Sequence, residues 1–598
     1  MDPQGESSTG LSRAAKKRAK KKQKLNVDRN DTDPANTQPP VESSSHAKEG
    51  TLKDSDNKLL QKRKFVRVKE DVEETVASGD DVDDDDILLQ PPLQCQTLVE
   101  ILKDTKNTMT ARQRSRATLE FLLGKVSVAE FYAKYWEQSP LFIQKTTDKH
   151  TRRFEHLLSK SKIKEILQEK ATYYGRDLNV ARYEKSKDGV KRRVTLDRLK
   201  DKVVCEEDPT DVRNFVKVDP DDIWTHYEHG CTIRLLCPHE HSDEIQALLS
   251  TLELEWGCMV GANAYLTPPN SSQGFAPHYD DIEAFCLQLE GKKRWKVYAP
   301  LNPGSVLPRF SSSDFKEEDL VGIQPLLDVV LEAGDMLYMP RGWIHQACTL
   351  RSGAEENEHS LHLTVSAMQQ WAWADLMEVV FPEAVQAVAE SATSNELRQG
   401  LPRNFLDYMG AMHDNNPDKM PEALKMLAKR VESQDDEDAK AKALKRQERF
   451  RSEAKKRIMA VANEAMELLD AACDQMGKRF ISDRQPTAWS EEERKVLYAE
   501  TKLLPSHLCR LARPGIARLV LEDDKAIVYH CNDNARTYRT HALSPLEFEL
   551  DDAPAIEQLL GTTEPHWICV ADLVHDTIED KVGVAQALYD ENILLIRE

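Results

Sequence analysis

Residues 274–285 read GFAPHYDDIEAF, and this stretch decides how the rest of the chain is interpreted. His278 and Asp280 stand two residues apart inside an apolar, β-prone run. Residues i and i+2 of a strand face the same side, so a strand here would point both into one interior, and Tyr279 and Asp281 away from it. One imidazole and one carboxylate make two thirds of the triad that holds non-heme Fe(II). Alone, an H-x-D triplet also fits a solvated polar strand edge.

A second segment, residues 289–298, reads LEGKKRWKVY. Gly291 predicts a turn, followed by a strand whose alternation places Lys293 on one face with Trp295 and Val297. The other face already carries charges, so Lys293 is the candidate for an inward-facing cation. A buried ammonium needs an anion because an unpaired buried charge is costly, and a dicarboxylate co-substrate would supply one. The alternative is a lysine that extends to the rim of a barrel and keeps its charge in water.

A third segment, residues 331–347, reads LEAGDMLYMPRGWIHQA. The Gly-Asp pair at 334–335 predicts a turn, a short apolar strand follows, and residues 340–342 break it before His345. The spacing to His278 is 345 − 278 = 67 residues, which leaves room for several short strands. A histidine there can complete a triad, although a lone histidine more often belongs to a structural core. The three segments in this order are specific where each alone is weak.

These segments resemble the JmjC 2-oxoglutarate oxygenases. Together with Tyr265–Pro269 and Ser360–Thr364 they are similar to the ribosomal oxygenase family, in particular to its nucleolar branch of lysine demethylases and histidyl hydroxylases. The resemblance runs from about Leu98 to the C-terminus. An extra serine at 271–272 and a polar insert at 351–359 depart from the family pattern; we expect both to be loop insertions that leave the triad in place.

The resemblance implies a set of site residues and cofactors. His278, Asp280 and His345 match the three iron ligands, and Lys293 matches the residue that pairs with the distal carboxylate of 2-oxoglutarate. Four further residues are assigned only to the pocket, namely Asn263, Tyr265, His362 and Thr364. The implied cofactor is Fe(II), with 2-oxoglutarate and O2 as co-substrates.

Composition narrows the class of protein. A chain of 598 residues is too long for one core, so several domains are expected. The net charge of −20 disfavours bulk nucleic-acid binding and suits basic partners. No run is apolar enough to span a bilayer, so no membrane partner is predicted. The 11 cysteines form no C-x-x-C pair, which predicts free thiols in a reducing compartment rather than a cysteine zinc site.

Residues 1–95 are predicted to be a disordered charged tail. Within it, Arg13–Lys24 carries eight basic side chains in twelve residues, and Asp71–Asp86 carries nine acids and no base. The basic run is a candidate address for the nucleus, and in particular the nucleolus, whereas the acidic block suits contact with basic proteins. A solvated tail without either role is the alternative.

The remainder predicts an α+β multidomain chain. The predicted domains are a double-stranded β-helix (JmjC/cupin) oxygenase domain with N-terminal helical elements at 96–375, a helical dimerisation domain, as the resemblance implies, at 376–484, and a winged-helix-like domain at 485–598. In the helical region, a charged helix is predicted at Asp436–Arg457 and a more apolar one at Ile458–Met476. Winged helices often bind nucleic acid, but Pro545–Glu598 holds thirteen acids against two bases, which argues against direct DNA contact.

Three functions are compatible with the sequence. The first is a hydroxylase acting on a histidine of a ribosomal protein, the second a histone lysine demethylase with the same chemistry, and the third a non-catalytic scaffold in chromatin or ribosome assembly. An intact triad with an inward Lys293 argues against the scaffold. The sequence itself does not separate the first two, and the family resemblance favours histidine. The expected partners are a basic protein substrate, either a ribosomal protein or a histone tail, and a second copy of the chain in a homodimer.

Overall fold

The computed structural model describes residues 97–103, 109–145, 153–186, 190–196, 214–351, 358–410, 413, 437–489, 491–536 and 544–597. The charged tail predicted at 1–95 lies outside these residues. No helix in the described ranges is long and apolar enough to cross a membrane. Every cysteine in the same ranges is a free thiol, as the sequence predicts.

The first helices share one hydrophobic core with the main sheet. They are α1 Leu98–Lys103, α2 Ala111–Leu123, α3 Val128–Lys134, α4 Lys160–Glu169, α5 Pro220–Glu228 and α6 Asp243–Trp256. A serine hydroxyl accepts an N-terminal amide at the start of α3, α4 and α6, which fixes where each begins. Phe131 of α3 packs on Tyr338 and Trp256 of α6 packs on Phe285, with ring centroids 5.0 Å apart in both pairs.

Ten antiparallel strands form the main sheet system. They are β1 Leu141–Ile143, β2 Leu178–Lys185, β3 Lys191–Leu196, β4 Thr232–Leu236, β5 Val260–Thr267, β6 Glu283–Tyr298, β7 Leu327–Glu332, β8 Met336–Met339, β9 Ile344–Cys348 and β10 Ser360–Ala367. The order is β1-β8-β6-β10-β5-β4-β2-β3, with β7 and β9 paired to β6. The first half of β6 pairs with β8 and β10 and the second half with β7 and β9. This is the predicted double-stranded β-helix.

Gly291 does not form the predicted turn but lies inside β6. Its φ of +64° is one that residues with a side chain rarely adopt, and a Cβ there would lie 1.7 Å from the carbonyl oxygen of His359. The pairing of β6 with β10 also shifts register close to this point. The glycine therefore marks a bulge that lets one long strand serve both sheets.

A helical region follows the barrel. Its helices are α7 Trp373–Glu390, α8 Glu437–Glu467 and α9 Leu469–Asp483. The break between the last two falls at Leu468, not at residue 457 as predicted, because charged and apolar residues of high helix propensity continue one helix equally well. Val380 and Ala384 of α7 pack against Ala465 and Ala472 in a small core. The domain boundary at 375/376 stays a prediction.

The C-terminal region contains the mixed elements of a winged helix around a core of its own. They are α10 Glu491–Leu497, β11 Leu508–Leu511, β12 Ala517–Glu522, β13 Lys525–His530, β14 Leu546–Phe548, α11 Ala553–Gly561, β15 Ile568–Cys569, α12 Ile578–Asp590 and β16 Leu594–Arg597. Two three-stranded sheets result, β15-β11-β16 and β12-β13-β14. The boundary at 484/485 likewise stays a prediction.

A buried polar contact joins the barrel side to the C-terminal region. Glu253 of α6 is fully buried, accepts a hydrogen bond from the Gln485 amide at 3.1 Å and lies 3.5 Å from Arg484 Nε. Burial raises the pKa of the Glu253 carboxyl to about 8, against the opposing effect of Arg484. The position of the C-terminal region is thus coupled to the charge of one acid.

Candidate active site

Two histidines distant in sequence meet through their backbones. The His345 amide donates to the His278 carbonyl at 2.8 Å, and the His278 amide donates to the His345 carbonyl at 3.2 Å. His278 thus forms an isolated β-bridge with β9 and is not part of the continuous strand predicted for it. Asp280 follows in irregular backbone, where the Gly342 amide donates to its carbonyl at 2.9 Å. Cross-strand pairing, rather than strand parity, brings these residues together.

The side chains of His278, Asp280 and His345 converge. His278 Nε2 lies 3.7 Å from one Asp280 carboxylate oxygen and His345 Nε2 lies 3.7 Å from the other. Each Nδ1 donates to a backbone carbonyl, that of Ala276 at 2.8 Å and that of Trp343 at 3.1 Å. A carbonyl only accepts, so each Nδ1 carries a proton, and Nε2 is the ring atom left to bind a metal. Burial, and then His278, lower the pKa of His345 to about 4, which keeps it neutral.

This donor set fits a divalent iron. Ligands about 2.1 Å from a metal and at right angles to each other are about 3.0 Å apart, so the 3.7 Å separations need only a small contraction. Two neutral imidazoles and one carboxylate make the facial triad of non-heme Fe(II) oxygenases, which leaves positions for other ligands. The fixed tautomers give both histidines the orientation that such a metal requires.

Asp281 behaves differently from the prediction that it points away. It is buried and lines the same cavity as the triad. Its carboxylate accepts from Ser311 Oγ at 2.6 Å and from Gln369 Nε2 at 3.2 Å. The choice of Asp280 over Asp281 as the residue facing the histidines is nonetheless what the structure shows, since Asp281 is engaged by the cavity wall.

Lys293 lies inside the barrel with only 4% of its surface exposed. Its Nζ donates to Thr267 Oγ1 at 2.9 Å and lies 5.9 Å from the ring centroid of Trp295. No ion pair between described residues includes Lys293. Burial lowers the pKa of its ammonium from 10.5 to about 8. The residue is therefore a desolvated cation whose environment favours an incoming carboxylate.

One cavity of about 500 Å³ collects all the residues that the sequence assigns to the site. These lining residues are Asn263, Tyr265, His278, Asp280, Lys293, His345, His362 and Thr364. His362 stacks on Tyr265 with 4.8 Å between ring centroids, and Trp295 meets its edge at 5.2 Å. Burial, then Lys293 and His345, hold the pKa of His362 well below its usual range, so its ring is neutral. Thr364 Oγ1 lies 3.6 Å from Cys286 Sγ.

Two arginines of this cavity were missed from the sequence. The Arg234 guanidinium lies over the ring of Tyr265 at 5.6 Å and over that of Phe275 at 5.9 Å. Arg193 lies over Phe275 from another strand at 5.7 Å. With the Asn263 amide oriented to satisfy its neighbours, its oxygen accepts from Arg234 Nη2 at 3.1 Å. A lone arginine within the apolar strand β4 was the available signal, the same one that identified Lys293.

A largely buried ionic network supports the turn that precedes β9 and His345. Arg341 binds Glu137 and lies 3.5 Å from Glu283, and the Tyr338 hydroxyl donates to the Glu283 carboxylate. Burial raises the pKa of Glu283 to about 7, which the hydrogen bond from Tyr338 opposes. The network ties the segment before β1 to the residues between β8 and β9, and so supports the backbone that leads to His345.

The sequence and the structure are similar to those of known proteins. One family model, described as a JmjC domain, matches residues 234–376, and another, the C-terminal winged helix domain of ribosomal oxygenase 1, matches residues 475–598. Ribosomal oxygenase 1 of Rattus norvegicus is 34% identical over 533 residues, covering 87% of this chain and 78% of that protein. The bifunctional lysine-specific demethylase and histidyl-hydroxylase NO66 of Aedes aegypti is 34% identical over 495 residues, covering 80% of this chain and 68% of that protein. Among solved structures, ribosomal oxygenase YcfD of Escherichia coli aligns with a TM-score of 0.36 at 14% identity, over 79% of this chain and 99% of that chain.

Proposed function

Since this chain belongs to the ribosomal oxygenase family of JmjC proteins, we propose that it is an Fe(II)- and 2-oxoglutarate-dependent dioxygenase that hydroxylates a histidine of a ribosomal protein. The observation that carries this proposal is the sharing of one cavity by a metal-ligating triad and a desolvated lysine. A non-catalytic scaffold has no use for either, and keeping Lys293 buried without an acidic partner lowers stability.

The separate roles of the metal, its co-substrates and the protein side chains follow from their chemistry and from the geometry of the site. When bound, Fe(II) with its co-substrates supplies the oxidation, in which 2-oxoglutarate gives succinate and CO2 while one oxygen atom of O2 enters a substrate C–H bond. His278, Asp280 and His345 hold the metal. Lys293 binds the distal carboxylate of 2-oxoglutarate through a charge-assisted hydrogen bond in a shielded pocket. The cavity walls exclude water, which strengthens that bond and protects the reaction from side products.

The polar wall of the cavity supports a histidine as the target side chain. Arg234 and Asn263 are hydrogen-bonded to each other and stand beside the Tyr265 ring. Such a set offers donors and acceptors to a neutral imidazole, and a site built to hydrogen-bond its substrate discriminates strongly against analogues that lack the partner groups.

The same wall argues against a methylated lysine as the preferred target. Methyl-ammonium groups are recognised by aromatic faces through cation–π contact. Here Arg234 already covers the faces of Tyr265 and Phe275, and Arg193 adds a second cation over Phe275. A third cation brought to these rings would be repelled by both guanidinium groups, so histone lysine demethylation is the second candidate.

The substrate segment is proposed to be basic and extended. The chain carries a net charge of −20, and opposite fields speed the encounter of two proteins. A histidine in an RNA-binding segment of a ribosomal protein has such surroundings. The net charge of −11 over residues 545–598 argues that the winged helix does not itself contact DNA.

We also propose a homodimer through the helical region. Trp373 of α7 and Met466 of α8 are 78% and 70% exposed. Leu406, which falls between these two helices in the sequence, is 71% exposed. Exposed large apolar side chains on these helices favour a closed, two-fold contact between copies.

We further propose that the protein is located in the nucleus, and in particular in the nucleolus. The basic run Arg13–Lys24 supports this localisation. A fluorescent fusion should lose nucleolar enrichment when residues 13–24 are deleted, and unchanged enrichment would contradict the assignment.

Mass spectrometry of ribosomal proteins and histones tests the proposed substrate directly. Cells expressing the protein should contain a ribosomal histidine that is heavier by one oxygen atom, and cells expressing Asp280→Ala should not. A change confined to histone methyl-lysine would reverse the order of the two candidates.

A further inference from the structure

A second group of metal-ligating side chains lies in the C-terminal region, far from the triad in sequence. His530 ends β13, Asp533 lies in the turn that follows, and Glu591 comes directly after α12. One ligand atom from each lies within 4.8 Å of the other two. The oxygenase chemistry makes no use of these residues.

His530 is the unusual member of this group. It is only 6% exposed, and neither ring nitrogen has a hydrogen-bond partner in the described part of the chain. A buried imidazole normally donates from one nitrogen and accepts at the other. A His530 ring nitrogen lies within 4.8 Å of a carboxylate oxygen of both Asp533 and Glu591. A buried ring nitrogen that lies close to two carboxylates and lacks a partner is the expected state of a metal ligand without its metal.

The backbone that carries the three ligands is held in place without any ion. The Asn532 side chain donates to the carbonyl oxygens of Glu591 at 3.1 Å and Asn592 at 2.9 Å. The Cys531 amide donates to the Ile516 carbonyl at 3.0 Å. The segments bearing His530, Asp533 and Glu591 are therefore positioned before a metal arrives, which is the preorganisation that a binding site needs.

We propose that His530, Asp533 and Glu591 bind a divalent transition metal, for which Zn²⁺ is the best chemical match. One imidazole nitrogen with two carboxylate oxygens suits zinc, which accepts both donor types, whereas Ca²⁺ and Mg²⁺ prefer oxygen ligands alone. Tetrahedral ligands at about 2.1 Å from the metal lie about 3.4 Å apart, and the exposed side chain of Asp533 can rotate to close the difference. A water molecule completes the tetrahedron.

The site has a structural consequence beyond its own residues. A metal here ties the end of β13 to the end of α12. In the same turn the Asn534 side chain donates to the carbonyls of Ile481 at 2.8 Å and Arg484 at 2.9 Å, at the end of α9. Arg484 in turn contacts Glu253 of the barrel side. Metal binding would therefore stabilise the junction through which the winged helix attaches to the oxygenase domain.

The test uses the full chain with two of the three triad ligands replaced, His278→Ala/Asp280→Ala, called here the triad-free protein, so that zinc cannot occupy the iron site. After chelator treatment, calorimetric titration with Zn²⁺ should give one equivalent per chain, together with a rise in Tm. Adding Asp533→Asn or Glu591→Gln should weaken that binding by at least about tenfold and remove the Tm rise. The matched control Asp590→Asn removes a neighbouring carboxylate from the same helix end and should leave both unchanged.

Two results would overturn the proposal. One is that the triad-free protein binds no zinc in the micromolar range. The other is that Asp533→Asn and Glu591→Gln, shown by circular dichroism to be folded, bind zinc as the parent does. Because Asp533 is exposed, its substitution does not disturb packing, and loss of binding in that variant reports on the ligand itself.

Discussion

Replacing Lys293 by alanine tests the co-substrate site most sharply. The ammonium is buried, has Thr267 Oγ1 at 2.9 Å as its hydrogen-bond acceptor, and takes part in no ion pair among the described residues. Removing one member of a buried charge pair costs about 2–5 kcal/mol, which corresponds to an increase of about 30-fold to several thousand-fold in the dissociation constant of 2-oxoglutarate. Calorimetry with Mn²⁺ in place of iron measures that constant without turnover.

The pH dependence of the affinity for 2-oxoglutarate tests the role of Lys293 independently. Burial lowers the pKa of Lys293 to about 8 in the protein without co-substrate. The carboxylate binds the protonated form, so wild-type affinity should be constant below about pH 8 and fall by up to tenfold per unit above it. Lys293→Ala should show no such decline.

Lys292→Ala is the matched control, because Lys292 neighbours Lys293 in β6 and pairs with Glu332 at 3.2 Å on the opposite face. Its affinity for 2-oxoglutarate should stay close to that of the wild type. Unchanged affinity in Lys293→Ala, or an equal loss in both variants, would show that another cation holds the distal carboxylate.

Three further predictions concern the metal, the domain junction and the assembly. Asp280→Ala should abolish turnover by removing the only anionic metal ligand, whereas Asp281→Ala, which loses hydrogen bonds to Ser311 and Gln369, should keep measurable activity; equal loss in a succinate assay would refute the assignment. Burial raises the pKa of Glu253 to about 8, so its contribution to stability is complete below about pH 4.5 and is lost as the pH rises toward 8. Glu253→Gln should flatten the corresponding decline in Tm, and parallel curves for both proteins would count against this. Sedimentation should give a dimer at micromolar concentration, and monomer alone would reject the proposed interface.

Strand alternation was the most informative sequence signal. It placed Lys293 with Trp295 and Val297, and all three are buried in β6. The order of the three segments likewise anticipated the meeting of His278 and His345. Alternation predicts the face of the strand on which a side chain lies. It therefore identifies the buried residues wherever the backbone is a regular strand.

The sequence predictions were wrong where contacts with residues distant in the chain determine the local structure. Gly291 was predicted as a turn because the sequence does not show that the His359 carbonyl occupies the space of a side chain there. Asp281 was predicted to point outward because the backbone after His278 was assumed to be a strand. Its inward hydrogen bonds come from Ser311 and Gln369, which are 30 and 88 residues away in sequence.

We propose above all that this chain oxidises a histidine in preference to a methylated lysine. Purified protein supplied with Fe(II), 2-oxoglutarate and O2 should be given a histidine-containing ribosomal peptide and a methyl-lysine histone peptide together. We expect a ribosomal peptide heavier by one oxygen atom at its histidine, with little or no formaldehyde from the histone peptide. Strong formaldehyde release with no oxidised histidine would contradict it, and turnover of neither peptide by the iron-loaded protein would favour a scaffold.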